Sequence, residues 1–189
     1  MVWKNLHIYV EKKSKSKFSQ YFLSIVAFIE SIFFPIPPDL ILIPIVYFNP
    51  NKFLVTALNC TIFSVIGGAF GYFIGYFIFE AVQSYFDMSK QTEFINFYND
   101  WGIFAVFLGG FTPIPYKIIA LTSGYSQFNF IYFIFLSVLS RGLRFFIIAF
   151  IIKQFGDVGM QILKRNKLLI FVLIPIGIVF LIYLLFYHD

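Results

Sequence analysis

Charge is scarce in this 189-residue chain, and the scarcity decides its class before any motif is read. Charged residues make up 12% and hydrophobic residues 60%, against about 25% and about 45–50% in an ordinary soluble domain. A soluble fold of this size has no way to hide so much apolar surface, so one membrane domain with no separate soluble domain is expected. Cysteine is nearly absent too. Cys60 stands alone inside an apolar run, which excludes an intramolecular disulfide framework and suits a small buried side chain. Histidine occurs only as His7 and His188 near the chain ends. With no metal-ligand cluster and no Ser/His pair, neither a catalytic residue, a metal nor a cofactor is expected. A cleavable secretory leader is not expected either: the first long apolar run begins after Lys17 and carries Glu30 and prolines instead of a small-residue cleavage site. The net charge is +5, but the basic residues are split between a tail and a short segment and line no groove, so nucleic acid is excluded as a partner.

What is present is a succession of apolar runs, two of them broken by proline. Residues 1–17 place Trp3, Leu6 and Val10 at helical spacing ahead of a basic patch, the pattern of an interfacial helix on an anionic leaflet. Residues 18–48 are long enough to span but are broken at Phe34-Pro35-Ile36-Pro37-Pro38-Asp39. Prolines at that density forbid a continuous helix, and such a break is tolerated at membrane depth only inside protein or beside a wet cavity. A re-entrant hairpin of two half-helices is expected there. Asn49-Pro50-Asn51 reads as a turn, and residues 53–79 as a transmembrane helix whose Gly67, Gly68, Gly71 and Gly75 form a packing face. The stretch 80–100 is a polar interruption with net charge −3. Residues 101–124 repeat the first theme, with a break at Phe111-Thr112-Pro113-Ile114-Pro115-Tyr116-Lys117. Aligning Pro35 with Pro113 superposes Pro37 on Pro115 and Asp39 on Lys117, the mark of an internal repeat that points to a binding site. A second spanning helix is expected at 128–152, a basic region at 153–167, and a C-terminal transmembrane helix at 168–187. The basic tail should stay in the cytoplasm; following the charges outward makes the two hairpins inverted and leaves the C-terminus outside. The expected fold is therefore all-α and integral to the membrane, with two inverted re-entrant hairpins packed against three full transmembrane helices.

An ionised side chain at the bilayer centre costs on the order of 2.5–3.5 kcal/mol on insertion scales, yet Glu30, Asp39, Lys117, Arg141 and Arg144 all fall at that depth in the sequence. Arg141 and Arg144 are three apart, hence on one helix face, and guanidinium forks suit a phosphate or carboxylate. Lys117 adds a third cation. Glu30 and Asp39 flank the first break, where burial and nearby cations pull oppositely on a carboxylate, the setting in which a proton is taken up and released. The half-helices that start after the prolines present free N–H groups to an anion. The plain alternative is that the five charges pair off and only hold the helices in register.

These residues resemble the DedA family, also described as the VTT or SNARE-associated domain. The likeness rests on Phe28-Ile29-Glu30-Ser31, the two proline breaks, the Gly67-Gly68-x-x-Gly71-Tyr72-x-x-Gly75 run, Gly110-Phe111-Thr112-Pro113 and Arg141-Gly142-Leu143-Arg144-Phe145-Phe146. It spans about residues 20–160, within a DedA-like membrane domain placed at 18–160, and is nearest the YqaA-like branch. The resemblance implies a multi-pass bacterial inner-membrane protein that moves an anionic lipid, a polyprenyl phosphate or phospholipid, between leaflets as a flippase or scramblase. It further implies coupling to protons and a role in envelope homeostasis. Better-studied branches carry an Arg before the second break, where this chain has Gly110, and another after it, where this chain has Lys117. A proton-coupled transporter of a small solute and a non-transporting assembly factor remain the competing expectations, and the glycine face would serve a homo-oligomer as well as packing within one chain.

Overall fold

A computed structural model describes residues 14, 16, 18–33, 37–82, 88–112 and 115–165. Among them the chain is helical throughout, as α1 (Phe18–Ile32), α2 (Asp39–Phe48), a 3-10 turn (Pro50–Lys52), α3 (Phe53–Val82), α4 (Met88–Phe111), α5 (Tyr116–Tyr125) and α6 (Phe130–Arg165). The expected interfacial segment at 1–17, save Ser14 and Ser16, and the C-terminal segment at 168–187 lie outside the described residues, as do Pro35 and Pro113.

Local chemistry explains where the helices start and stop. The Ser16 hydroxyl accepts the Phe18 amide at the start of α1. Past Phe33 the proline run ends it. α2 restarts at Asp39, whose carboxylate in the first turn opposes the positive end of the helix dipole. Asn49 closes α2 by donating to the Ile45 carbonyl, and Pro50 opens the 3-10 turn into α3. At the other break Pro115 precedes α5 in extended conformation. The Asn129 side chain then caps α6 by accepting the amides of Ile131 and Tyr132. Among the described residues α3 and α6 are the two helices long and apolar enough to cross a membrane; the 30 residues of α3 measure about 45 Å at 1.5 Å per residue.

Three boundaries differ from the sequence expectation. The polar stretch 80–100 is mostly helix, because α4 starts at Met88 with no Gly or Pro before Gly102 to interrupt it. Within it Glu93 and Asp100 are exposed while Tyr98 is buried. Charge here marks the outer face of a helix instead of a loop. The second proline-broken segment is consequently longer on its first arm than 101–124 allows. Similarly α6 continues through the basic stretch to Arg165, interrupted only at Gly156, whose φ of 48° lies in the left-handed region that glycine tolerates.

The order helix, break, ten-residue helix, turn, long helix occurs twice, and the packing exchanges between the halves. Within each half the first helix lies on the long one, α1 on α3 and α4 on α6. Across the halves, the short helix α5 lies on α3 and α2 on α6, and the two long helices touch each other. Gly67 receives α1, where an added Cβ would stand 2.9 Å from Ser31 Cβ, and Gly71 lies between Ala120 of α5 and the Ser31 carbonyl of α1. Gly68 receives the Tyr116 ring of α5, and Gly75 the α5 backbone at Leu121. One small-residue stripe on α3 thus seats a helix from each half.

Two apolar clusters form the interior. One gathers Leu23, Leu42, Val46, Cys60, Phe145 and Ile148, the other Tyr72, Tyr98, Val106, Tyr116 and Phe133. Outside, Ile25, Phe70, Phe77, Ile131, Phe135 and Phe150 stand at least half exposed on α1, α3 and α6. The usual polarity of a soluble surface is missing there.

Candidate functional site

Arg141 and Arg144 sit on α6 between Phe133 of one cluster and Phe145 of the other. Both guanidinium groups point inward, and each meets a carboxylate from the first half. Arg141 Nη2 donates to Glu30 Oε2 of α1 at 2.7 Å. Arg144 Nη2 donates to Asp39 Oδ2 at the start of α2. Both acids therefore come from one half and both cations from the other, so the two pairs tie the halves together. Their side chains are almost closed off, from 3% exposure at Arg141 to 13% at Glu30. Charges this deep are retained only when paired.

The two pairs are built differently. Arg144 also donates to the Thr112 carbonyl at the second break, at 2.7 Å, so one side chain joins α6 to both breaks. Arg141 instead lies between aromatic rings, 4.6 Å from the Tyr116 centroid and 5.1 Å from that of Phe145, an arrangement that stabilises a cation without using its N–H donors. Tyr116 is fully buried and is fixed through its hydroxyl, which donates to Ser137. Beneath Glu30, Ser31 shares a hydrogen bond with Ser64 at 2.8 Å and donates back to the Ala27 carbonyl. Cys60 on α3 lies within electrostatic range of all four ionised groups.

Some capacity is left over. Arg141 Nε is buried without an acceptor, and Asp39 Oδ1 is buried without a donor. Orphaned atoms of this kind cost free energy in a finished core and are explained most simply by a group that completes them.

Lys117 does not join the ion pairs. Its Nζ donates to the Phe33 carbonyl at 3.1 Å, at the end of α1, where the last carbonyls of a helix lack partners and a cation complements the dipole. The second break is thereby tethered to the first. Pro37 and Pro38 lie before Asp39, and Pro115 before Tyr116, so each break sets the start of the short helix beside it.

Sequence reasoning did not single out the hydroxyl groups. Ser31, Ser64, Ser123, Ser137 and Ser140 are buried on apolar helices, and Tyr98 bonds Ser123 at 2.8 Å. Their signal was small hydroxyl residues recurring inside apolar runs, which satisfy themselves by donating to a carbonyl one turn back. No group of three or more metal-ligating side chains forms among the described residues.

The chain is 36% identical over 157 residues to an uncharacterized protein of Haemophilus influenzae, covering 81% of this chain and 82% of that protein. It is 38% identical over 137 residues to an uncharacterized protein of Histophilus somni, covering 70% and 72%. It is 28% identical over 133 residues to an uncharacterized protein of Methanocaldococcus jannaschii, covering 69% and 82%. No family model matches the chain, and no solved structure matches it.

Proposed function

The chain belongs to the family of the Haemophilus influenzae and Histophilus somni proteins, and we propose that it is an inner-membrane lipid transporter of flippase or scramblase type that moves an anionic lipid between leaflets. The observation that carries this reading is the pair of buried Arg–carboxylate contacts joining the two halves, set in a molecule whose outer faces are apolar. Lipid covers those faces at no hydrophobic cost, whereas water does not. An interior this polar is costly to place inside a membrane and marks a pathway for a polar group.

On this reading the chain spans the membrane several times, with its N-terminus cytoplasmic. α1–α2 and α4–α5 are two inverted re-entrant hairpins, the arrangement in which a proline break is tolerated at membrane depth. The twofold recurrence of helix, break and short helix supports the inversion, as does the exchanged packing of α2 on α6 and α5 on α3. An anionic head group enters between the hairpins and reaches the buried arginine face of α6 while its tails stay in lipid, and proton coupling balances its charge. The DedA resemblance fits one further detail. A side chain at Gly110 would run into Ser140, with Arg141 Cγ 3.5 Å from its Cβ. The place where better-studied branches carry an arginine is here filled from α6.

The mutual compensation of the four charges favours a second reading, an assembly factor that transports nothing and uses the pairs only as rivets. Reconstitution separates them. Protein in vesicles containing a fluorescent phosphatidylglycerol or a polyprenyl phosphate should carry the probe between leaflets. Arg141→Ala, inserted and folded, should abolish exchange. Absence of exchange for both probes at every pH from 5 to 8 leaves the rivet reading standing.

A further inference from the structure

The two ion pairs are unequal, and the inequality assigns them different work. Arg144 is held from two sides, by Asp39 of the first break and by the Thr112 carbonyl of the second. Pulling it away would release both breaks at once. Arg141 is held by a single hydrogen bond to Glu30 and by the flat faces of Tyr116 and Phe145. Rings bind a guanidinium through its face and leave its edge to other partners. Glu30 is also the more exposed of the two acids, at 13% against 4% for Asp39.

Resting on the anion-transport reading above, we propose that Arg141 alone changes partner. It leaves Glu30 to hold a singly charged phosphodiester or a comparable head group, while the Arg144–Asp39–Thr112 clasp stays closed. The charge balance then fixes a second event. The empty site carries two guanidinium and two carboxylate groups and is neutral. A monoanion brought to Arg141 leaves the Glu30 carboxylate without its cation in a nearly dry interior, so Glu30 takes up a proton and the site is neutral again. The other titratable or charged groups around Glu30 do not supply that proton's charge. Tyr116 of α5 is committed to Ser137, Arg144 of α6 to Asp39 of α2, and Lys117 of α5 to the Phe33 carbonyl. Cys60 of α3 lies within range as a buried thiol.

Anion binding by the full-length protein in detergent therefore takes up about one proton per anion, and affinity strengthens about tenfold for each unit fall in pH. Calorimetric titration in two buffers of different ionisation enthalpy counts the protons directly. The probes are dihexanoyl phosphatidylglycerol and dimethyl phosphate, which carry the same fixed single charge with and without tails. Equal proton uptake with tighter binding of the lipid identifies a lipid head group; equal affinity for both identifies a free phosphodiester as sufficient. Glu30→Gln should bind with no proton taken up and with affinity flat in pH, and Asp39→Asn should still take up about one proton if it folds. Because the count is made on the wild-type protein, it stands even if both variants fail to fold. Binding of either probe without proton uptake overturns the proposal and leaves anion transport intact. Failure of both probes to bind overturns the two together.

Discussion

Removing Asp39 tests how the clasp contributes to stability. In Asp39→Ala the Arg144 guanidinium stays buried with its carboxylate gone, and breaking a buried pair from one side costs about 3–5 kcal/mol. Unfolded helices still in the membrane find substitute partners, which places the expected loss in the lower half of that range. Arg144→Met strands Asp39 in the same way and also removes the donor from the Thr112 carbonyl, adding about 1–3 kcal/mol for an unsatisfied buried acceptor. The double variant Asp39→Ala/Arg144→Met strands no charge at that pair. Only the Thr112 carbonyl remains unmatched, and apolar replacement of a buried pair is neutral or stabilising by about 1–4 kcal/mol. Its stability should therefore fall within about 2 kcal/mol of wild type, and the coupling between the two sites, the two single losses less the double loss, should reach about 5 kcal/mol or more, beyond the usual range of about 0.5–3 kcal/mol for contacting residues. Unfolding in mixed micelles by increasing dodecyl sulfate, run on all four proteins, measures this. Additive single losses, with coupling below about 0.5 kcal/mol, would show that Arg144 and Asp39 are not partners and would refute the reasoning.

Gly68→Ala brings a Cβ to 2.6 Å from the Tyr116 ring, which its bond to Ser137 prevents from yielding; the overpacking should cost about 1–3 kcal/mol. Gly142→Ala meets nothing closer than Thr61 at 3.6 Å and should be neutral or stabilising by up to about 1 kcal/mol through helix propensity, so the two thermal midpoints compared in one detergent isolate the packing effect. Tyr116→Phe removes the hydroxyl bond to Ser137 but keeps the ring against Arg141, and should lose about 0.5–1.5 kcal/mol in unfolding experiments while lipid exchange persists. Lys117→Met breaks the tie to the Phe33 carbonyl at a partly exposed position. Stability should shift by less than about 1 kcal/mol, and a thiol placed at position 33 should react faster than it does beside Lys117.

The sequence announced the large features because each has a cause confined to a few neighbouring residues. Apolar runs without interruption became α3 and α6, and proline runs ended α1 and α4 where they stand. Four of the five charges singled out from sequence, Glu30, Asp39, Arg141 and Arg144, meet in two pairs. Which acid would face which arginine was not legible, since that depends on how α1 and α2 lie against α6, residues more than a hundred positions apart. Lys117 looked like one more cation for the same cluster; the geometry gives it to a backbone carbonyl because helix ends need partners that sequence periodicity does not reveal. The helix over Met88–Asp100 was hidden for the opposite reason, its charges lying on an exposed face and mimicking a loop. Tyr116 drew no notice as an aromatic among 29 Phe and 12 Tyr residues. Only the neighbouring Gly68 and Arg141, from two other helices, turn it into the platform of the site.

Everything above depends on Glu30 and Arg141 meeting out of reach of bulk water, and thiol accessibility tests that directly because Cys60 is the chain's single cysteine. In a Cys60→Ser background, cysteines at positions 30, 141, 52 and 127 are exposed in intact and in inverted membrane vesicles to a charged, impermeant maleimide. Lys52 and Gln127 are exposed in turns at the ends of the long helices, and each should label from one side of the membrane. Positions 30 and 141 should stay unlabelled from both sides until a small permeant reagent is used. Labelling of 30 and 141 by the impermeant reagent as fast as 52 and 127 would contradict a buried ionic site.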